Sequence, residues 1–317
     1  MTDKNKALII LTGPTCVGKT GLSIELAKAV GGEIISADSM QVYRHMDIGT
    51  AKISRAQMQG IPHHLIDILE PFEEYNVSRF KQEAGEAIKS VLLCGNTPVI
   101  TGGTGFYIQA LLYDVDFSDN AQTPYRQELL TLARERGNGY LFEMLKKADP
   151  EAASYLHEND VKRVSRALEF YRETGERISE HNRKERGKKA AYDFKYFVLN
   201  MPRDILYENI DKRVDEMIKD GLVEEVKKLK DMGCNDSMVS MKGLGYKEIL
   251  KFLDGYTDLD EAVRILKRDT RHFAKRQLTW FKRERDVIWI NRNEFDYDNS
   301  RIVDHILKIC NENGESK

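Results

Sequence analysis

The chain has 317 residues, 49 Lys+Arg against 51 Asp+Glu for a formal net charge of −2, and 41% hydrophobic residues. That apolar share can build a sizeable core and excludes wholesale disorder, and the length suits two domains or one large domain with an insertion. No apolar run approaches the ~20 residues of a membrane helix, the polar Met1–Lys6 start has no signal-peptide stretch, and the scattered Cys16, Cys94, Cys234 and Cys310 form no CxxC, so a cytoplasmic protein without a membrane partner, zinc site or disulfide framework is expected.

In chain order, Ala7–Leu11 is a short apolar run stopped by Gly13-Pro14 and reads as a buried parallel strand. Residues 20–30 place Leu22, Leu26, Ala29 and Val30 at helical spacing, ended by Gly31-Gly32. Glu33–Ser36 is a second strand leading into Ala37-Asp38-Ser39, and His64–Ile68 is a candidate third. Residues 78–94 carry Phe80, Ala84, Ala87, Ile88 and Val91 on one helical face. Pro98–Thr101 is a fourth strand, followed by Gly102-Gly103-Thr104-Gly105 and a helix over Phe106–Leu112. This alternation predicts a parallel α/β sheet flanked by helices. Residues 124–186 read as successive helices without a strand. Phe194–Leu199 and Val287–Ile290 are strand-like again, separated by long helical stretches over 205–232 and 260–284. The expected organisation is an α/β core over 1–116, a helical insertion over 117–193, and a return to the core with C-terminal helices over 194–317.

Gly13-Pro14-Thr15-Cys16-Val17-Gly18-Lys19-Thr20 fits G-x-x-x-x-G-K-[ST] between a strand and a helix. Its glycines let backbone N–H groups converge on phosphate oxygens, and the helix start adds partial positive charge. Lys19 would reach a terminal phosphate, and Thr20 can ligate Mg²⁺. The motif signals phosphate; it does not by itself signal a triphosphate or hydrolysis.

Ligands in open α/β sheets sit beyond the carboxyl ends of the strands. Asp38 stands there after the second strand, as a metal ligand or base, against the simpler alternative of a turn former. Thr104 stands there after the fourth. Asp67 also follows a candidate strand, but the loop beyond it carries no phosphate signature.

Two segments are strongly basic. Residues 162–189 hold ten Lys/Arg against five Glu, and residues 264–285 hold nine against Asp269 and Glu284, with His272, Phe273, Trp280 and Phe281 interleaved. Solvated helix faces would explain such runs, yet in a net-negative chain the imbalance favours a polyanion partner. From residues alone, a small-molecule kinase, a switch NTPase and a transferase with a diphosphate leaving group all remain open.

Several segments together resemble the bacterial tRNA dimethylallyltransferase (tRNA isopentenyltransferase) family: GPTCVGKT at 13–20, ISADSMQVYRHMDIGTAK at 35–52, PHHLIDI at 62–68, GGTGFYIQALL at 102–112, KRVSRALEFY at 162–171, and KGLGYKEI and AKRQLTWFKR near the C-terminus. The resemblance implies a P-loop NTPase-like parallel sheet with an all-helical insertion domain that contacts tRNA. It implies transfer of a dimethylallyl group from dimethylallyl diphosphate to N6 of the adenosine 3′ of the anticodon, with the loop at 13–20 holding the diphosphate and Mg²⁺ as cofactor. Asp38 matches the family's general base, Thr104 a residue at the reacting centre, and Arg213 an arginine near the diphosphate. Ser39, Met40 and Gln41 beside Asp38, the segment Lys162, Arg163, Val164, Ser165 and Arg166, and Arg126 match tRNA contacts. The family more often has Gln where this chain has Lys162, which favours a phosphate contact there. A related prenyltransferase acting on free adenine nucleotides shares the loop and Asp38, but has no need of the basic segments. Nothing in the sequence signals oligomerisation, and a monomer is expected.

Overall fold

The computed structural model describes residues 7–113 and 123–312. Strand β1 (Leu8–Thr12) is buried at all five positions because it lies inside a six-stranded, all-parallel sheet of order β3-β2-β4-β1-β5-β6. Burying each of its Leu and Ile side chains contributes about 1.5–3 kcal/mol. The other strands are β2 (Gly32–Ser36), β3 (His63–His64), β4 (Thr97–Gly102), β5 (Phe194–Asn200) and β6 (Val287–Asn291). Helices α1 (Lys19–Val30), α2 (Arg55–Met58), α3 (Val77–Leu93) and α4 (Gly105–Leu112) connect the first strands. The chain runs from β1 past the place of β4 to β2 and β3, returns to β4, and later adds β5 and β6 beyond β1. The order therefore reverses beside β1, the point at which such sheets open a crevice.

The third strand is shorter than the sequence suggests. Leu65 and Asp67 take left-handed φ values of 62° and 55°, so the chain turns away after two paired residues.

The chain divides into two compact units, Met1–Leu111 with Tyr192–Lys317, and Leu112–Ala191. The expected boundary at 116/117 lies outside the described residues, and the expected return at 193/194 compares with an observed one at 191/192. The second unit is built from α5 (Pro124–Arg136), α6 (Asn138–Ala148), α7 (Pro150–Tyr155), α8 (Val161–Thr174) and α9 (Ile178–Gly187) around Leu129, Leu141, Leu145, Val164 and Leu168. Its fully buried Asp149 caps α7 through the Ala152 N–H and accepts both the N–H and the hydroxyl of Ser179, which ties α9 to the bundle.

In the first unit, α10 (Arg203–Lys219) and α11 (Leu222–Asp231) divide the expected 205–232 stretch at Gly221, whose φ is 101°. Helix α12 (Tyr246–Leu253) follows, then α13 (Leu259–Phe281), N-capped by Asp258 and turning Leu266, Ala274, Gln277 and Phe281 inward. Helix α14 (Asn299–Glu312) packs on α1.

Candidate active site

Strand register brings the site together. Thr12 pairs with Gly102 and Ser36 with Thr101, so the loops after β1, β2 and β4 leave the sheet at one level. Gly102 makes this close approach possible: a Cβ there would lie 2.3 Å from the Ala37 carbonyl oxygen. Ala37 donates its N–H to Thr101 O (2.7 Å) and accepts from Thr104 N (3.3 Å), which holds Asp38 and Thr104 beside the phosphate loop.

The loop closes as the motif requires. Gly18 precedes the first turn of α1 in the left-handed region, and Val17 is buried under the loop. The Lys19 ammonium donates to Gly13 O (2.9 Å) and Pro14 O (2.7 Å). Enclosure pushes its pKa down from 10.5 to about 8; the charge of Asp38 acts against this, and Arg213 adds to it. Arg213, from α10, makes no hydrogen bond or ion pair with any described residue. Asp38 is thus the anion nearest in effect to Lys19, and Arg213 acts on that ammonium more weakly.

Asp38 accepts the N–H groups of Met40 (2.8 Å) and Gln41 (3.3 Å) through Oδ1. The turn-forming job open to such an Asp is therefore real, and it falls on one oxygen only. Oδ2 has no partner among the described residues. A small cavity of about 60 Å³ is lined by Lys19, Thr20, Asp38 and Gln41 together with Ser36 and Thr101. A second, of about 400 Å³, is lined by Thr20, Lys52 and Arg213 among others, so Thr20 stands between the two.

A divalent cation fits this donor set. The Thr20 hydroxyl borders the cavity as a single hard donor, and no cluster of three or more His, Cys, Asp or Glu that could hold a metal exists among the described residues. Such a site suits a hard ion that completes its shell with phosphate oxygens and water. Asp67, by contrast, is occupied: with Asp47 it pairs with the ammonium of Lys52, whose side chain is only 4% exposed.

Sequence reasoning missed several lining groups. The Thr101 hydroxyl is buried without a partner, and Ser36, 3% exposed, likewise makes no side-chain hydrogen bond. His63 also lines the cavity, its Nδ1 on Ile61 O at 2.8 Å and its pKa lowered by burial. Gln277 is the other omission. It is the one uncharged polar side chain on the buried face of α13, a phase visible in its spacing from Ala274 and Phe281.

The expected RNA contacts separate by exposure. Ser39, Met40 and Gln41 are partly exposed beside Asp38. On α8, Lys162 and Arg163 are exposed and Arg166 partly so. Val164 and Ser165 are fully buried in their own unit, with Ser165 Oγ bonded to Val161 O (2.7 Å), so these two do not offer their side chains to RNA here. Arg126 spends its guanidinium on Glu169, which also accepts from Thr123, in a pair only 14% and 3% exposed. The basic run of α13 is partly neutralised within the fold: Arg264, Lys267, Arg268 and Arg271 pair with Glu261, Asp215, Asp269 and Asp211. Lys275, Arg276, Lys282 and Arg283 are exposed and make no ion pair with a described residue. Trp280, from the same helix, meets the exposed Phe106 edge-on at 6.0 Å, two residues past Thr104.

Fold and site together define a P-loop-like parallel α/β chain with a phosphate-loop motif between β1 and α1. A family model described as IPP transferase matches residues 41–284, and one described as isopentenyl transferase matches residues 6–70. The chain is 58% identical to the tRNA dimethylallyltransferase of Lachnoclostridium phytofermentans, over 96% of this chain and 97% of that one. It is 50% identical to the Acetivibrio thermocellus enzyme of the same name, over 92% and 93%. Among solved structures it resembles the tRNA isopentenylpyrophosphate transferase of Bacillus halodurans (TM-score 0.74, 41% identity, 98% and 99% coverage). It also resembles a eukaryotic dimethylallyltransferase acting on tRNA (TM-score 0.77, 30% identity, 90% of this chain and 74% of that one). The chain belongs to the tRNA dimethylallyltransferase family and is an enzyme of that type. These matches favour the tRNA prenyltransferase reading over the kinase and the free-nucleotide enzyme. A diphosphate substrate of such a family ordinarily calls for a divalent metal.

Proposed function

We propose that this chain transfers the dimethylallyl group of dimethylallyl diphosphate to N6 of the adenosine 3′ of the anticodon in tRNA. One observation carries the reading: the Lys19 ammonium, held in the closed phosphate loop, lines one cavity with Thr20 and with the Asp38 carboxylate, one oxygen of which is unused.

The phosphate loop residues Gly13, Pro14, Thr15, Cys16, Val17, Gly18, Lys19 and Thr20 form the diphosphate cradle. The allylic C–O bond breaks with its electron pair leaving on diphosphate oxygen, where Lys19, Arg213 and loop N–H groups stabilise the growing negative charge. Mg²⁺, held by Thr20 and by the diphosphate itself, would supply further charge neutralisation. Carbon develops positive charge and is captured by adenine N6, a poor nucleophile because its lone pair is delocalised. Asp38 Oδ2 accepts the N6 proton as the C–N bond forms, a contribution of order 10²–10⁴-fold for such groups. Thr104, tied to the Asp38 loop through the Ala37 carbonyl, is assigned to the reacting centre.

The target adenosine leaves its stack to react. Ser39, Met40 and Gln41 receive the base and its neighbours, and Phe106 with Trp280 offers a ring on which a base can stack. Lys275, Arg276, Lys282 and Arg283 on one unit, and Lys162 and Arg163 on the other, bind phosphates. Labelled dimethylallyl diphosphate, Mg²⁺ and either unmodified tRNA or AMP test the assignment. Label in tRNA is expected; label in AMP alone overturns it.

A further inference from the structure

Gln277 reaches from α13 between two loops of the site. Its Oε1 accepts the Thr15 N–H at 2.9 Å, and its Nε2 donates to Gly103 O at 2.9 Å. The side chain is 6% exposed, and a Cβ on Gly103 would lie 2.3 Å from Nε2. The loop after β4 must therefore carry glycine at 103 for this amide to fit. Both faces of the amide are used, one on the diphosphate cradle and one on the turn that presents Thr104. An apolar side chain of the same length would fill the space and leave a buried donor and a buried acceptor unpaired.

We propose that Gln277 is a positioning residue for group transfer: it fixes the phosphate loop relative to the Gly103–Thr104 turn, so that the leaving diphosphate and the attacking base stay aligned. The proposal rests on the function proposed for this site and adds a residue to it. The Thr15 N–H is committed to Gln277 and is not a phosphate ligand, which leaves the N–H groups further along the loop, toward Thr20, for the diphosphate. Alignment across such a linkage matters because a displacement of about 1 Å between reacting groups can cost of order 10²-fold in rate.

Two variants of the full-length protein separate alignment from mere packing. Gln277→Met keeps the volume and loses both hydrogen bonds. Gln277→Glu keeps an acceptor for Thr15 and loses the donor to Gly103. Each is compared with the parent by steady-state kinetics with tRNA, by calorimetric binding of dimethylallyl diphosphate with Mg²⁺, and by hydrogen exchange of the peptides covering 13–20 and 102–105. For Gln277→Met the expected result is faster exchange in both peptides, kcat lowered about ten- to hundredfold, and KM for tRNA unchanged within about twofold. For Gln277→Glu, protection of 13–20 is retained and that of 102–105 is lost, with kcat intermediate. A Gln277→Met protein that melts at lower temperature yet keeps the parent's kcat per folded molecule overturns the proposal, as does unchanged exchange in both peptides. If the parent itself fails to prenylate tRNA, the function reading fails, while donor binding and exchange still decide whether Gln277 holds the cradle.

Discussion

The enclosed ammonium of Lys19 makes donor affinity depend on pH in a direction that can be worked out. Its pKa falls from 10.5 to about 8, chiefly through burial, a displacement worth on the order of 3 kcal/mol. Below about pH 8 the folded, ligand-free protein carries this charge at full cost. As pH rises from about 8 to 10.5 the folded state sheds the proton before the unfolded state does, so stability rises and the cost shrinks, to be gone above about pH 10.5. A diphosphate selects the charged form. Its apparent affinity should therefore be level below about pH 7.5 and fall about tenfold by pH 9, where roughly a tenth of the free protein is still charged at Lys19. Titration calorimetry with a saturated, unreactive alkyl diphosphate and Mg²⁺ measures this directly, since the diphosphate is itself essentially ionised above about pH 7. Lys19→Arg provides the control, because a guanidinium stays charged throughout and its affinity should not vary over the same range. Parent affinity that stays level to about pH 9.5, or that rises, would rule out this protonation scheme.

Three further outcomes follow from individual side chains. Asp38→Asn keeps an oxygen for the Met40 and Gln41 N–H groups but cannot take a proton, so turnover should fall 10²–10⁴-fold with tRNA affinity nearly unchanged; a large loss of tRNA binding with turnover intact would make Asp38 a positioning residue. Charge reversal at the exposed Lys162 and Arg163 should weaken tRNA binding and lower the slope of log K against log salt by about one for each phosphate no longer neutralised, and an unchanged slope would remove α8 from the RNA surface. Arg126→Met leaves Glu169 buried without its partner and should destabilise the helical unit by about 3–5 kcal/mol in denaturant unfolding; a loss of RNA affinity at full stability would instead return Arg126 to the RNA-binding set.

Much of the site is legible in the sequence because its chemistry is local. The phosphate loop, the strand before it and the helix after it occupy adjacent sequence, and Asp38 and Thr104 follow strands whose apolar runs are easily seen. The family resemblance supplies Arg213, which no local pattern marks. What stays hidden depends on distant partners. Residues 264–285 read as a strongly basic segment opposed only by Asp269 and Glu284, yet Asp211 and Asp215, more than fifty residues earlier, neutralise Arg271 and Lys267. Arg126 resembles an RNA contact and is committed to Glu169, 43 residues on. The strip 162–166 reads as a linear segment, but helical periodicity sends Val164 and Ser165 inward. His64–Ile68 has a strand's composition, and the left-handed residues Leu65 and Asp67 that end the pairing carry no Gly or Asn to announce them. Gln277 joins loops 262 and 174 residues away, a relation only the fold creates.

The activity proposed for this site is the joining of a dimethylallyl group to one adenosine in a folded RNA. The decisive experiment is a single-turnover reaction with labelled dimethylallyl diphosphate and Mg²⁺ on two unmodified anticodon stem-loops, identical except for adenosine or guanosine 3′ of the anticodon. Label on the adenosine stem-loop alone is expected, with diphosphate released in equal amount and no ATP consumed. Equal labelling of both stem-loops, or ATP turnover with neither labelled, would contradict it.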